Sequence, residues 1–239
     1  MQKIVKDKAN VIIGILQPGY LPWLGFFEQI YRSDVFVLYD DVQYDKEGWR
    51  NRNRIKSSNG VQWLSVPVQF KLSKAPLLTE IKIDNKANWR KKHLASIRQN
   101  YSRSKYFNDY IRFFEEAYAR EWEYLIDLDL FFIGGLLKLL GMGEKIIHRS
   151  CNINVQGDRI ERLINLCKHF GADTFYEGSA GKNYINENKF LSQGIKVSYQ
   201  DYQHPTYSQL YGEFVPYLSI VDLLFNHGWG SLAILTGEG

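Results

Sequence analysis

A chain of 239 residues with 45% hydrophobic and 23% charged residues is large enough for an α/β domain and too apolar for disorder to be the default. Its net charge of +4 suits small anionic ligands and is too weak for a nucleic-acid surface. Two cysteines, Cys151 and Cys167, make neither a disulfide framework nor a zinc spacing.

In chain order, the polar lead 1–10 lacks the apolar segment of a signal peptide, which points to a cytoplasmic protein. Residues 11–16 form an apolar run that predicts a buried strand, and Pro22 opens a helix through Trp23, Phe26, Phe27 and Ile30. Residues 35–39 predict a second buried strand. Runs without polar alternation fit strands covered on both faces, as in a parallel sheet, and strand–helix–strand makes a right-handed βαβ unit. Residues 61–68 and 78–84 alternate with period two and predict a hairpin across the linker 70–77, extending that sheet.

Asn88 caps a predicted helix carrying Trp89, His93, Ile97 and Tyr101 on one face. Two more helical segments follow at 105–118 and 122–140, the last ended by Gly141. Residues 88–145 thus read as a helical insertion or cap within a single α/β domain, 1–239. The greasiest stretch, 128–140, is too short and too interrupted to cross a bilayer. Asp158 opens a helix closed by Gly171, residues 174–176 form a short strand, and a loop runs from Gly178 to Tyr184. A helix at 186–192, a strand at 195–199 and a last helix from Ser219 to about Gly228 complete the pattern. The fold class is α/β, a mainly parallel Rossmann-like sheet with a helical insertion.

Ligands of such sheets bind beyond the carboxyl ends of the strands. Four loops qualify by order: 17–22, 40–54, 178–184 and 200–207, expected to gather at one rim. The first, from Gln17, fixes an unusual path with two prolines and two glycines and carries Tyr20 and Trp23; a rigid structural turn is an equal reading. Its position matches the H-x-G-H loop of nucleotidylyltransferases, but Trp23-Leu-Gly-Phe26 stands there without either histidine. A nucleotidylyltransferase-like topology is compatible; that phosphate chemistry is not supported.

The second loop is the most specific. Asp40 and Asp41 at a strand end suit a base, a metal or sugar hydroxyls, and Arg50, Arg52 and Arg54 alternate so that an extended chain puts them on one face. Tyr44, Trp49, Asn51 and Asn53 lie among them. The plainer reading pairs the aspartates with the arginines. Gly178-Ser179-Ala-Gly-Lys182-Asn-Tyr184 brings small residues and one cation but lacks P-loop spacing. His204 sits in a loop, and His93 on an apolar helix face, where a packed core role competes with catalysis. Ser219-x-x-Asp222 has the form of a capping box. The histidines and acids show no metal spacing.

Together these stretches resemble the WbqC-like family: Ile15-Leu-Gln-Pro-x-Tyr-Leu-Pro-Trp-x-Gly-Phe-Phe27, then Tyr39-Asp-Asp-Val-Gln-Tyr44, Trp49-x-Asn-Arg-Asn-Arg-Ile55, and Trp89 with His93. The likeness continues through Arg149-Ser150, the 171–178 segment and Phe214 to Gly228. It implies a bacterial enzyme in surface-polysaccharide (O-antigen, lipopolysaccharide) biosynthesis. The function expected is a transferase adding an acyl or aminoacyl group to a nucleotide-linked amino sugar. Asp40, Asp41 and His93 are its catalytic candidates. Gln17, Tyr20, Trp23, Tyr44, Trp49, Asn51, Arg52, Asn53, Arg54, Arg149, Ser179, Lys182, Tyr184 and His204 are its substrate-binding ones. The alternatives are an adenylate-forming ligase using ATP or a nucleotidylyltransferase-like enzyme, and a non-catalytic sugar-binding or scaffolding protein. The expected partner is a nucleotide-sugar or other anionic small molecule, with no nucleic acid and no membrane insertion, and an oligomer is compatible.

Overall fold

The unbroken apolar runs become inner strands, because a strand covered on both faces needs no polar side chain. The computed structural model describes residues 10–69 and 75–238. Most of the polar lead 1–10, and residues 70–74 of the linker, lie outside the described residues. The elements begin β1 (Ile12–Leu16), α1 (Leu24–Arg32), β2 (Val35–Leu38), β3 (Arg52–Ser57), β4 (Gly60–Ser65), β5 (Val68–Gln69) and β6 (Lys82–Ile83). Helices α2 (Trp89–Tyr101), α3 (Phe107–Ala119) and α4 (Leu125–Leu139) follow, then β7 (Ile147–Arg149), α5 (Arg159–His169) and β8 (Thr174–Glu177). The chain ends with α6 (Glu187–Leu191), β9 (Lys196–Tyr199), α7 (Ile220–His227) and α8 (Ser231–Thr236). No described helix is long and apolar enough to cross a membrane.

By contacts the chain divides into two compact units. The first holds residues 10–17, 28–39 and 145–203, with a five-stranded sheet in the order β7-β2-β1-β8-β9. Every neighbouring pair is parallel. In the sheet's own chain order this is 3-2-1-4-5, the doubly wound arrangement of a Rossmann-like fold, with its topological switch point between β1 and β8. Ile13, Ile15, Val37 and Phe175 pack against Leu163, Ile164, Leu166 and Cys167 of α5 and Phe190 of α6 in one buried cluster. Helix α5 starts at a full capping box: Asp158 accepts from the Ile160 and Glu161 amides, while Glu161 reaches back to the Asp158 amide. It ends at Gly171, whose φ of 65° an L side chain adopts poorly.

Gly14 of β1 lies on the crowded side of this sheet. A Cβ there would come 2.5 Å from Ser33 Oγ and 2.8 Å from the Phe36 ring. Gly14→Ala should therefore lower stability by about 1–3 kcal/mol through overpacking. Urea unfolding measures this, and an unchanged midpoint would show that the site relaxes freely.

The second unit holds residues 18–27, 40–144 and 204–238. It contains two antiparallel pairs, β3 with β4 and β5 with β6, each a two-stranded sheet of its own. Here the expected hairpin is corrected. Residues 60–65 pair with β3, and among the described residues the link between the two alternating stretches is Val68↔Ile83 and Gln69↔Lys82. Residues 78–80 form a 3-10 turn. Strand β3 was not expected because Arg-Asn-Arg-Ile-Lys-Ser carries little apolar signal, nor β7, only three half-buried residues. Asn88 stands at the start of α2 as predicted, but its side chain makes no bond to the helix amides.

Candidate functional site

In the second unit, residues 18–21 and 49–53 are tied together through the backbone. The Tyr20 amide donates to the Arg50 carbonyl at 2.9 Å, and the Arg50 guanidinium donates to the Pro18 carbonyl at 3.1 Å. Gly19 permits the close approach: a Cβ there would meet the Trp49 carbonyl oxygen at 2.7 Å. Leu21 has a φ of 46°, and the buried Asn53 amide donates to its carbonyl at 2.7 Å. Asn51 donates to the Val66 carbonyl at 2.8 Å. Both asparagines thus spend side-chain hydrogen bonds on the backbone, which shapes the turn for its neighbours.

Arg52 and Arg54 share a face of β3, as alternation requires. The Arg52 guanidinium lies 5.4 Å from the Trp63 ring, and that of Arg54 lies 5.0 Å from Trp49 and 5.7 Å from Trp63. The two indoles are 4.9 Å apart and are 39% and 47% exposed. One N–H of each arginine is fixed, Arg52 to the Glu47 carbonyl at 2.8 Å and Arg54 to the Tyr217 carbonyl at 3.0 Å. Guanidinium over indole combines positive charge with flat apolar area, the surface that a phosphorylated sugar or a nucleotide matches. Tyr217 extends it: its ring packs 5.8 Å from Trp23, and its amide donates to His204 Nε2 at 3.1 Å. His204 therefore accepts at Nε2, and its Nδ1–H faces the Pro205 carbonyl at 2.9 Å. An accepting Nε2 requires the neutral ring, and burial lowers its pKa in the same sense, against the hydrogen bond to the Pro205 backbone.

Behind the turn lies a buried polar group. Tyr20 is fully buried; its hydroxyl meets His93 Nδ1 at 2.8 Å and also the Tyr118 hydroxyl. The His93 ring is walled by Trp89 at 5.4 Å and Tyr118 at 6.0 Å. Burial pushes its pKa down to about 4, opposed by a hydrogen bond to the Ser65 backbone. His93 is consequently neutral near pH 7. It borders an open groove of about 610 Å³ between β4 and α2, along with Trp63, Trp89 and Lys92. Tyr44 is buried too, and burial, with the Asp129 charge behind it, lifts its pKa to about 12. Asp40 is fully buried and Asp41 partly exposed just after β2.

In the first unit, Gln17, Arg149, Ser179, Lys182 and Tyr184 follow the carboxyl ends of β1, β7 and β8 or stand at them. Residues 179–183 form a 3-10 turn. Lys182 lies 5.6 Å over Tyr199, and Arg159 lies 4.1 Å over Tyr184. The group that holds this corner is Glu177 at the end of β8. Its carboxylate accepts from the Gly178 amide at 3.0 Å and the Tyr184 hydroxyl at 3.2 Å. Burial raises its pKa to about 7, more than these hydrogen bonds and Arg159 lower it.

Thus Tyr20, Trp23, Tyr44, Trp49, Asn51, Arg52, Asn53, Arg54, His93 and His204 fall in the second unit, and Gln17, Arg149, Ser179, Lys182 and Tyr184 in the first. Sequence reasoning passed over Trp63, Tyr118, Glu177 and Asp129. The period-two register of β4 carries the signal for Trp63. Asp129 sits three or four residues from Leu125, Ile126, Phe132 and Ile133, on the buried face of α4.

Asp222 is not a capping-box partner. Ser219 caps α7 by accepting from the Val221 amide, and its own amide donates to the Arg54 carbonyl. The Asp222 carboxylate accepts from the buried Tyr101 hydroxyl at 2.8 Å. Among the described residues no group of three His, Cys, Asp or Glu side chains is placed to hold a metal ion.

These features define an α/β protein with a Rossmann-like parallel sheet and a separate arginine–tryptophan face. The chain belongs to the WbqC-like protein family, whose model matches residues 17–234. It is 36% identical over 218 residues to a Mycobacterium tuberculosis (strain ATCC 25618 / H37Rv) protein described as uncharacterized protein Rv1507c, covering 90% of this chain and 94% of that one. No solved structure matches it.

Proposed function

We propose that this WbqC-like chain is a cytoplasmic transferase that adds an acyl or aminoacyl group to a nucleotide-linked amino sugar during assembly of bacterial surface polysaccharide such as O antigen. The observation that carries this reading is the pair of guanidiniums, Arg52 and Arg54, layered on the partly exposed indoles of Trp49 and Trp63. The guanidiniums neutralise a diphosphate, and the partly exposed indoles of Trp49 and Trp63 give a sugar its stacking surface, while the buried Tyr20 and Tyr44 support the turn from within. Asn51 and Asn53 hold the turn, and His204 holds Tyr217 beside Arg54. In the first unit, Gln17, Arg149, Ser179, Lys182 and Tyr184 are binding candidates in their own right, at the carboxyl edge of the parallel sheet.

In the reaction, the amine nitrogen of the sugar attacks the carbonyl carbon of an activated acyl donor. A C–N bond forms, the bond to the donor's leaving group breaks, and the amine proton passes to a base. Asp41, the more exposed of the adjacent carboxylates, fits the base; Asp40 beside it is buried, and His93, neutral at pH 7, fits a hydrogen-bonding role.

Calorimetry with a nucleotide-linked amino sugar tests the assignment. Replacing both Arg52 and Arg54 by alanine should weaken binding about a hundredfold or more, since each charge-assisted contact contributes about 1.5–3 kcal/mol. Unaltered affinity removes the arginines from the site. ATP-dependent pyrophosphate release with candidate acids would replace the transferase by a ligase.

A further inference from the structure

Strand β4 has one open edge. Among the described residues its partner is β3 alone, in a sheet of two strands. In an antiparallel pair every second residue turns its backbone N–H and C=O away from the partner. The Val66 amide donates to the Asn51 carbonyl at 2.8 Å, so this opposed pair is a hydrogen-bonded one. By the register Asn53↔Leu64 and Ile55↔Gln62 bond likewise, which leaves the backbone of Trp63 and Ser65 facing outward. The His93 ring agrees with that direction, since it reaches the Ser65 backbone from α2.

This outward edge is one wall of the groove of about 610 Å³, and a stripe of α2 is the other. Lys92, Ala95, Ser96 and Gln99 recur every three or four residues along the stripe, and the small pair in the middle keeps the walls apart. Gln62 ties the walls together, donating to Ser96 Oγ and accepting from Asn100, both at 2.9 Å. The lining stretches, Gln62 to Pro67 and Trp89 to Gln99, each run about 15 Å at the rise of a strand or a helix. Lys92 is the one charged residue among the described lining residues. A long slot with a peptide edge on one side and a single cation suits a linear chain with amides and one anionic end. Trp63 joins the slot to the arginine–tryptophan face: its backbone is on the slot's edge, and its ring lies against Arg52 and Arg54.

We propose that the groove between β4 and α2 holds the phosphopantetheine arm of an acyl thioester, laid along the β4 edge as an added strand. The arm is unbranched where its two amides lie, and these pair with the outward groups of Trp63 and Ser65 as a peptide would. Its phosphate meets Lys92. The inference rests on the transferase reading, for which it names the donor. The amine nitrogen of the sugar attacks the thioester carbonyl carbon; the C–N bond forms, the C–S bond breaks, and the sulfur leaves as a thiolate that takes up the amine's proton by way of the base.

The experiment uses the full chain, native, Lys92→Glu and Ala95→Tyr, in calorimetry, with 4′-phosphopantetheine, pantetheine, coenzyme A and a holo acyl carrier protein as probes. Removing the phosphate from the arm should weaken binding about tenfold in the native chain and not at all in Lys92→Glu. Ala95→Tyr narrows the slot from an exposed helix position and should weaken binding about tenfold with an unchanged unfolding midpoint. Hydrogen exchange at the Trp63 and Ser65 amides should slow about tenfold when the arm is bound. Binding of coenzyme A identifies a soluble donor and binding of the carrier protein alone a protein-bound one; either supports the groove. Binding of none of the probes, affinity untouched by both substitutions, or unchanged exchange in the bound state overturns it. A nucleotide-linked amino sugar that binds through Arg52 and Arg54 while no probe binds removes the thioester donor and leaves the transferase reading standing. Probe binding without any sugar binding keeps the groove and removes the amino-sugar acceptor.

Discussion

Replacing Asp222 by alanine should cost the fold about 3–5 kcal/mol, the penalty for breaking a buried charged network by removing one member. The network is confined to the second unit. The Asp222 carboxylate accepts from the Tyr101 hydroxyl, and Tyr101 in turn accepts from the Lys56 amide at 3.1 Å. Lys56 is itself 2% exposed, and its ammonium donates to Gln209 Oε1 at 3.1 Å and the Glu213 carbonyl at 2.5 Å. Burial raises the Asp222 pKa, while Tyr101, Tyr207, Lys56 and Gln209 pull it down. Losing the carboxylate leaves the Tyr101 hydroxyl proton without an acceptor and the Lys56 charge poorly compensated. Urea unfolding reads the loss directly. Asp222→Asn should lose much less, since its carboxamide oxygen still accepts from Tyr101. Lys56→Met combined with Asp222→Ala should be less destabilising than the sum of the two singles. Strict additivity would mean that the groups do not act as a unit.

A second large effect is expected at Glu177, and it depends on pH. The folded carboxyl has a pKa of about 7 against an ordinary value of 4.5, chiefly because burial disfavours its charge. The folded state therefore holds its proton more tightly than the unfolded chain. The resulting contribution is whole below about pH 4.5 and disappears as pH rises towards 7. Above that, the ionised buried group costs about 3 kcal/mol. Glu177→Gln, which keeps an acceptor for Gly178 and Tyr184, should leave stability near pH 4 unchanged. At pH 8 it should raise it by up to about 3 kcal/mol and flatten the profile between. Parallel pH profiles for the two chains would show that Glu177 ionises normally. An acid kept at this cost, at the carboxyl end of β8 beside the switch point, is a trait of functional positions.

The legible part of the fold was the part whose side chains report their burial. β1 and β2 are nearly unbroken runs of Ile, Val, Phe and Leu, β8 and β9 carry Phe-Tyr and Val with Tyr between polar ends, and α5 has an apolar stripe between a capping acid and a terminal glycine. The parallel order follows from strands that need cover on both faces. β3 was hidden because its inward positions include Asn53 and Lys56 beside Ile55, polar groups buried by partners far along the chain. Strand β7 is too short to leave a pattern. Arg52 and Arg54 are legible from period two, whereas the alternation of β4 marks Trp63 only as one face of a strand, and its place beside Arg54 follows from the pairing Arg54↔Trp63, which exists only once β3 is known. Asp129 is one of the polar residues that interrupt the greasy stretch 128–140, and helical spacing places it on the buried side of α4.

The Trp49–Trp63 contact has an optical consequence. Indoles with centroids 4.9 Å apart and inclined by 55° couple their electronic transitions, so the pair should contribute a paired positive and negative band to the circular dichroism spectrum. Anything that settles between Arg52, Arg54 and these rings changes their spacing or tilt. The protein therefore carries its own spectroscopic gauge of occupancy at this face, readable without a label and without knowing the reaction.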